Sequence, residues 1–221
     1  MEGSKSSGFD GTQQTMDNGE PRFEFRVFGT SLGMAEQCIR DIAPCDSITE
    51  SREIYLLGHS IDYDKNVKIR RGRLELKRLI ESHQGLQRWQ PAGQWEFPVS
   101  FDAIEDIINS GCTPIPSRDL TTMLSKDDLL NLAAQPAGHL QRADVFKRRF
   151  RYTLPACRAE FVQLRVNGAA IESIAIESVD AQAILEVQSS LRLEDFENQS
   201  YPLALSRILG IKPLPREEDY G

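Results

Sequence analysis

The chain has 221 residues, of which 40% are hydrophobic and 27% charged, and it carries a formal net charge of -7. Its 15 glycines bring the apolar share to about 47%, the composition of a globular domain long enough to bury a core without disulfide or metal staples. No stretch approaches 18 apolar residues and residues 1–21 lack an apolar run of signal length, so the sequence predicts neither a membrane span nor a secretory signal, and a cytoplasmic protein.

Residues 1–21 are rich in Gly, Ser, Gln and Asp and read as a disordered tail. From Arg22 a strict period of two begins, with Arg22, Glu24 and Arg26 alternating against Phe23, Phe25 and Val27, which is the signature of a half-buried strand. Leu32, Ala35, Ile39 and Ile42 then mark a helix, with Thr30 or Ser31 as its cap. Strands are expected over 52–58, at Val67–Arg70 and at Leu74–Lys77, and a hairpin over 86–90 and 94–99. A helix follows over 101–110, a loop over 111–121, and a second helix whose start at Ser125, with Asp128 three residues on, resembles a capping box. Three more strands are predicted over 145–153, 159–166 and 171–178, the last two joined by Asn167-Gly168, a strong hairpin signal. Helices over 180–188 and 202–209 complete the list, and 212–221 reads as a flexible tail. The expected architecture is one β-rich α+β domain over 22–211, an antiparallel barrel or tunnel of eight to nine strands with peripheral helices.

The charge is unevenly spread. Lys65 to Arg88 holds eight bases against two acids, Arg142 to Arg165 seven against two, and the chain from Val166 onward ten acids against four bases. On the alternating strands the polar face collects Arg22, Arg26, Lys68, Arg70, Arg73, Lys77, Arg88, Lys147, Arg149, Arg151 and Arg165, with Glu24, Glu75, Glu96 and Glu177 among them. In an open sheet these residues form a basic slab; in a closed barrel they line a lumen. A lumen of that sign calls for an anion, and phosphoryl groups offer several acceptor oxygens to Arg forks and Lys ammonium groups. Carboxylates among the bases suit Mg²⁺ or Mn²⁺, hard cations that prefer oxygen ligands and polarise phosphoryl oxygens.

The segments Arg22-Phe-Glu24-Phe-Arg26, Val67-Lys68-Ile69-Arg70, Leu74-Glu75-Leu76-Lys77, Glu96-Phe97-Pro98, Lys147-Arg148-Arg149-Phe150-Arg151 and Glu160 through Glu177 resemble, in their order, the CYTH or triphosphate tunnel metalloenzyme superfamily. The resemblance spans roughly residues 22–190 and implies an eight-stranded antiparallel barrel that binds triphosphate with a divalent metal. It implies phosphate contacts from Arg26, Lys68, Arg70, Lys77, Arg149 and Arg151, with the remaining bases of the polar face as further substrate-binding candidates. It implies Glu24 and Glu177 as metal ligands; the polar-face acids add Glu96 as a further metal candidate, and Glu24 and Glu75 as the candidate catalytic acids. The family's opening Glu-x-Glu-x-Lys is replaced here by Arg22, Glu24 and Arg26, and its late Glu-x-Glu by Ala175-Ile176-Glu177. Two functions are therefore expected: hydrolysis of a phosphoanhydride in a triphosphate, nucleotide or polyphosphate ligand, or binding of nucleotide, polyphosphate or nucleic acid without turnover.

Other candidates carry less. His59, His83 and His139 have no carboxylate or metal-ligand spacing, and Cys38, Cys45, Cys112 and Cys157 form no CxxC pair. Gly29 to Gly33 reads as a helix cap before it reads as a phosphate cradle, and Trp89 and Trp95 are expected together on the apolar face.

Overall fold

The period-two segments pair into a closed antiparallel barrel, in a computed structural model that describes residues 21–58, 63–108, 122–134 and 140–212. The elements are β1 (Phe23–Gly29), α1 (Gly33–Ile42), β2 (Ser47–Gly58), β3 (Lys65–Arg70), β4 (Arg73–His83), β5 (Leu86–Glu96), β6 (Val99–Ser100), α2 (Phe101–Ile108), β7 (Met123–Leu124), α3 (Lys126–Ala133), β8 (Leu140–Thr153), β9 (Arg158–Val166), β10 (Ala169–Ser178), α4 (Ala181–Ser190) and α5 (Tyr201–Ile208). Eight strands close in the order β1-β10-β9-β8-β2-β3-β4-β5, and β6 and β7 form a separate two-stranded ribbon. This is the β-rich barrel with peripheral helices that the alternation predicts. The expected tails, His59, His139, Cys112 and the 111–121 loop lie outside the described residues, apart from Pro21 and Lys212. No helix among the described residues is long and apolar enough to cross a membrane.

Hairpin chemistry fixes the register. Asn167 and Gly168 both adopt positive φ (48° and 96°), the type I′ geometry whose twist matches the β9–β10 ladder. The seam between β1 and β5 is short, only Phe23↔Arg88 and Glu24↔Gln87. A side chain reinforces it: the Asn198 amide nitrogen donates to the carbonyls of Glu24 (3.1 Å) and Gly85 (2.7 Å), and its oxygen accepts from Arg26 N–H (2.8 Å).

Two apolar layers cover the outside. Phe25, Val27, Phe161, Ile174 and Ile176 on the barrel wall pack against Ile39 of α1 and Ile184 of α4. Ile69, Leu74 and Leu76 pack against Ile104 of α2 and Leu129 of α3. The expected capping box forms: Ser125 Oγ accepts from Asp128 N–H and Asp128 Oδ2 accepts from Ser125 N–H. At α1 the cap differs from expectation. Neither Thr30 nor Ser31 caps the helix; a carboxylate oxygen of Glu172 accepts from Leu32 N–H at 2.6 Å, and the chain's own anion takes the place of a phosphate.

Two expectations about β5 are corrected together. The segment is one continuous strand, not a hairpin: it pairs with β4 from Leu86 to Glu96, and an extra residue at Ala92 bulges between the Leu76/Gly93 and Lys77/Pro91 pairs. One added residue inverts the facing of everything beyond it. Trp95 therefore packs on the outer layer while Trp89 faces the lumen. The Trp95 ring lies across Gly93, where an added Cβ meets the indole at 2.1 Å. Gly93→Ala is expected to cost about 1 to 3 kcal/mol through overpacking, read as a lower urea midpoint at unchanged m-value.

Candidate functional site

The lumen has two halves. Toward one end, Leu57, Ala143, Val145, Val162 and Leu164 fill it together with Tyr201 and Leu205 of α5. Toward the other end the same strand faces carry charge, because the inward parity of β8 runs Ala143, Val145, Lys147, Arg149, Arg151 and that of β9 runs Leu164, Val162, Glu160. The result is a cup of about 180 Å³ with Tyr55 and Tyr201 among its lining residues. Its mouth continues into a groove of about 480 Å³ that shares Arg151, Glu160 and Glu177 and adds Asp46 and Arg158.

Seven of the eleven expected bases line the cup: Arg26, Lys68, Arg70, Lys77, Lys147, Arg149 and Arg151. The other four do not. Arg22 precedes β1 and lies outside the cup lining; Arg73 sits at the rim and pairs with Glu96 at 2.7 Å. Arg88, over the Phe23 ring, pairs with Glu81, and Arg165 lies against the outer-wall groove beside Asn167. Of the acids, Glu24 and Glu177 line the cup, and Glu75 flanks it through Arg70 (3.1 Å) and Lys68 (3.8 Å). Glu96 does not reach Glu24 and Glu177; it stands at the end of β5 with three-quarters of its side chain exposed, held by Arg73.

Three residues at the centre were not singled out from the sequence. Glu53, 2% exposed, accepts from Arg149 Nη2 (2.6 Å), Tyr55 OH (3.0 Å) and Ser51 Oγ (3.2 Å), and pairs with Lys147 (3.0 Å) and Lys68 (3.4 Å). Burial alone raises a carboxyl pKa, but Lys147, Lys68 and Arg149 outweigh it and hold Glu53 far below the usual range. Glu160 lies 3.7 Å from Arg26, 3.7 Å from Arg149 and 3.6 Å from Arg151. Tyr201 stacks on Tyr55 (centroids 5.4 Å apart), with Lys147 Nζ 3.4 Å and Arg26 Cζ 4.8 Å from its ring centroid. Its hydroxyl is buried without a hydrogen-bond partner among the described residues. Charge repulsion in the cup is thus relieved by the chain's own carboxylates, which revises the expectation that an empty lumen requires an external anion. Lys77 is exposed and makes no ion pair among the described residues.

Glu24 and Glu177 are direct cross-strand partners on β1 and β10. Burial and the neighbouring Glu24 carboxylate push Glu177 up to about 7. Burial also disfavours ionised Glu24, but Arg26, whose Nε donates to it at 2.9 Å, outweighs this and keeps its pKa below the ordinary value. The pair therefore shares a proton near neutral pH, the proton that a hard dication would replace. Two carboxyl groups fit one side of a divalent-cation site, and no group of three acidic, histidine or cysteine side chains converges among the described residues. Because the folded pKa of Glu177 exceeds the unfolded value, its contribution to stability is full below about 4.5 and lost as pH rises through about 7. Glu177→Gln is expected to raise stability at pH 8 and leave it unchanged at pH 4; equal effects at both pH values in thermal melts contradict the proton-sharing pair.

No family model matches the sequence, and no curated protein matches it. Solved structures do. The PH1012 protein of Pyrococcus horikoshii OT3 is 15% identical, with 84% of this chain and 98% of that one covered at a TM-score of 0.46. The adenylyl cyclase-like HpAC1 of Hippeastrum, described as having a dominant triphosphatase activity, is 10% identical over 88% of this chain and 98% of its own, with a TM-score of 0.48. The Pct1 RNA triphosphatase of S. pombe is 10% identical over 82% and 86%, with a TM-score of 0.31. These are likenesses of fold.

Proposed function

We propose that the cup binds the phosphate chain of a triphosphate or polyphosphate-bearing ligand and, with Mg²⁺ or Mn²⁺ at Glu24 and Glu177, hydrolyses a phosphoanhydride bond. The observation that carries the reading is the gathering of seven cations, among them the half-exposed Arg151 and a Lys77 with no ion pair among the described residues, around a cavity whose Tyr201 hydroxyl has no hydrogen-bond partner among those residues. Lys77, Arg151 and Arg70 take phosphoryl oxygens by charge-assisted hydrogen bonds, and the Tyr201 phenol, kept neutral by burial, donates one more. A cation at Glu24 and Glu177 supplies Lewis-acid polarisation of a phosphoryl oxygen. The mouth groove, with Asp46 and Arg158, receives the part of the ligand that is not phosphate.

Binding without turnover is the second reading. It is favoured by Arg26, whose guanidinium holds Glu24 at 2.9 Å, where it adds positive charge beside any dication.

Thermal melts with tripolyphosphate, ATP and orthophosphate, each with and without Mg²⁺ or Mn²⁺, followed by phosphate release, separate the readings. Stabilisation by tripolyphosphate with metal-dependent release supports hydrolysis, and stabilisation with no release supports binding alone. No stabilisation by any of the three anions removes both.

A further inference from the structure

Glu53 lies behind the lining of the cup, paired with three of its cations, Lys68, Lys147 and Arg149. Its two oxygens are fully buried and engage five donors: Ser51 and Arg149 at Oε1, and Tyr55, Lys68 and Lys147 at Oε2. A dehydrated anion surrounded by Lys, Arg and hydroxyl donors is held as a phosphoryl group would be held. We propose that Glu53 is a built-in counter-anion that occupies the innermost anion subsite and so sets how far a phosphate chain can enter. The inference rests on the reading above that the cup takes phosphate chains.

Two observations support it. Lys68, Lys147 and Arg149 are nearly buried and already satisfied by Glu53, whereas Arg151 is half-exposed, Arg70 is partly exposed beside Glu75, and Lys77 is unpaired among the described residues. The cations available to a ligand are therefore those of the mouth. Independently, the Tyr201 hydroxyl is buried on the cup lining without a hydrogen-bond partner among the described residues, a polar group open to a ligand. A ligand's terminal phosphoryl group stops at the level of Tyr201. To take Lys68, Lys147 and Arg149 as further contacts it must expel the Glu53 carboxylate from them and leave it buried and unpaired, which is strongly unfavourable. Glu53 thereby limits the advantage of a longer phosphate chain over a shorter one.

The test is the ratio of tripolyphosphate to pyrophosphate affinity, measured by titration calorimetry without metal, in the wild type, in Glu53→Gln and in the double variant Glu53→Gln/Lys147→Met. The double variant removes one cation together with the carboxylate, so a folded protein is obtained even if the single change leaves too much unpaired charge. Freed floor cations add at least one charged contact for the longer chain, so the ratio should rise at least about tenfold in the variants. A wild type that binds with a ratio unchanged within about threefold in a folded variant overturns the role of Glu53 and leaves the proposed function standing. Binding by a variant but not by the wild type confirms Glu53 as the occluding group and refutes ligand binding by the native cup. No binding by any of the three proteins refutes both.

Discussion

Glu53→Ala is expected to lower the free energy of unfolding by about 3 to 5 kcal/mol, the cost typical of breaking a buried ion cluster by removing one partner. Three cations, Lys68, Lys147 and Arg149, lose the carboxylate they surround, and Lys147 is only 1% exposed, so water cannot replace it without opening the barrel. Burial already pulls the Lys147 pKa well below its ordinary value, with Glu53 as the main opposing influence. Urea denaturation at pH 7 measures the loss. A cost under about 1 kcal/mol would mean that the cluster is hydrated and that Glu53 is not the counter-charge of the lumen.

The second large effect is on affinity. Lys77→Met and Arg151→Met together are expected to weaken tripolyphosphate binding by at least about 100-fold, since each charged hydrogen bond is worth about 1.5 to 3 kcal/mol. Stability should change by less than about 1 kcal/mol, because Lys77 is exposed without an ion pair among the described residues and Arg151 pairs only loosely with Glu160 at 3.6 Å. Titration calorimetry reads the first quantity and thermal melts the second. Unchanged affinity would take the mouth cations out of the site.

Much of this barrel is written in its period-two segments. The polar parity of β1, β3, β4 and β8 brings seven of the expected bases into one lumen, and Asn167-Gly168 turns β9 into β10 as its chemistry dictates. Glu53 escaped for a local reason: in Arg52-Glu53-Ile54-Tyr55-Leu56-Leu57 the apolar run masks alternation, and both a basic and an acidic neighbour precede it. The lumen's division into charged and apolar halves was equally hidden, since Val145 and Lys147 share one parity and only the seating of α5 shows which level is filled. A single bulge separated Trp89 from Trp95, and no spacing rule reveals a residue that drops out of register. Arg88 and Arg165 lie outside the lumen although both sit on alternating strands, because a shift of one residue in parity moves a side chain to the opposite wall. Tyr201 and Asn198 come from the segment after the last strand, where sequence alone gives no hint that a helix start enters the barrel.

The most direct measurement is a crystal structure with tripolyphosphate soaked into the native protein. A phosphate chain is expected in the cup, touching Lys77, Arg151 and the Tyr201 hydroxyl, with Glu53 still bound to Lys147 and Arg149. A chain bound on the outer wall beside Arg165, or an unliganded cup at saturating concentration, would contradict it.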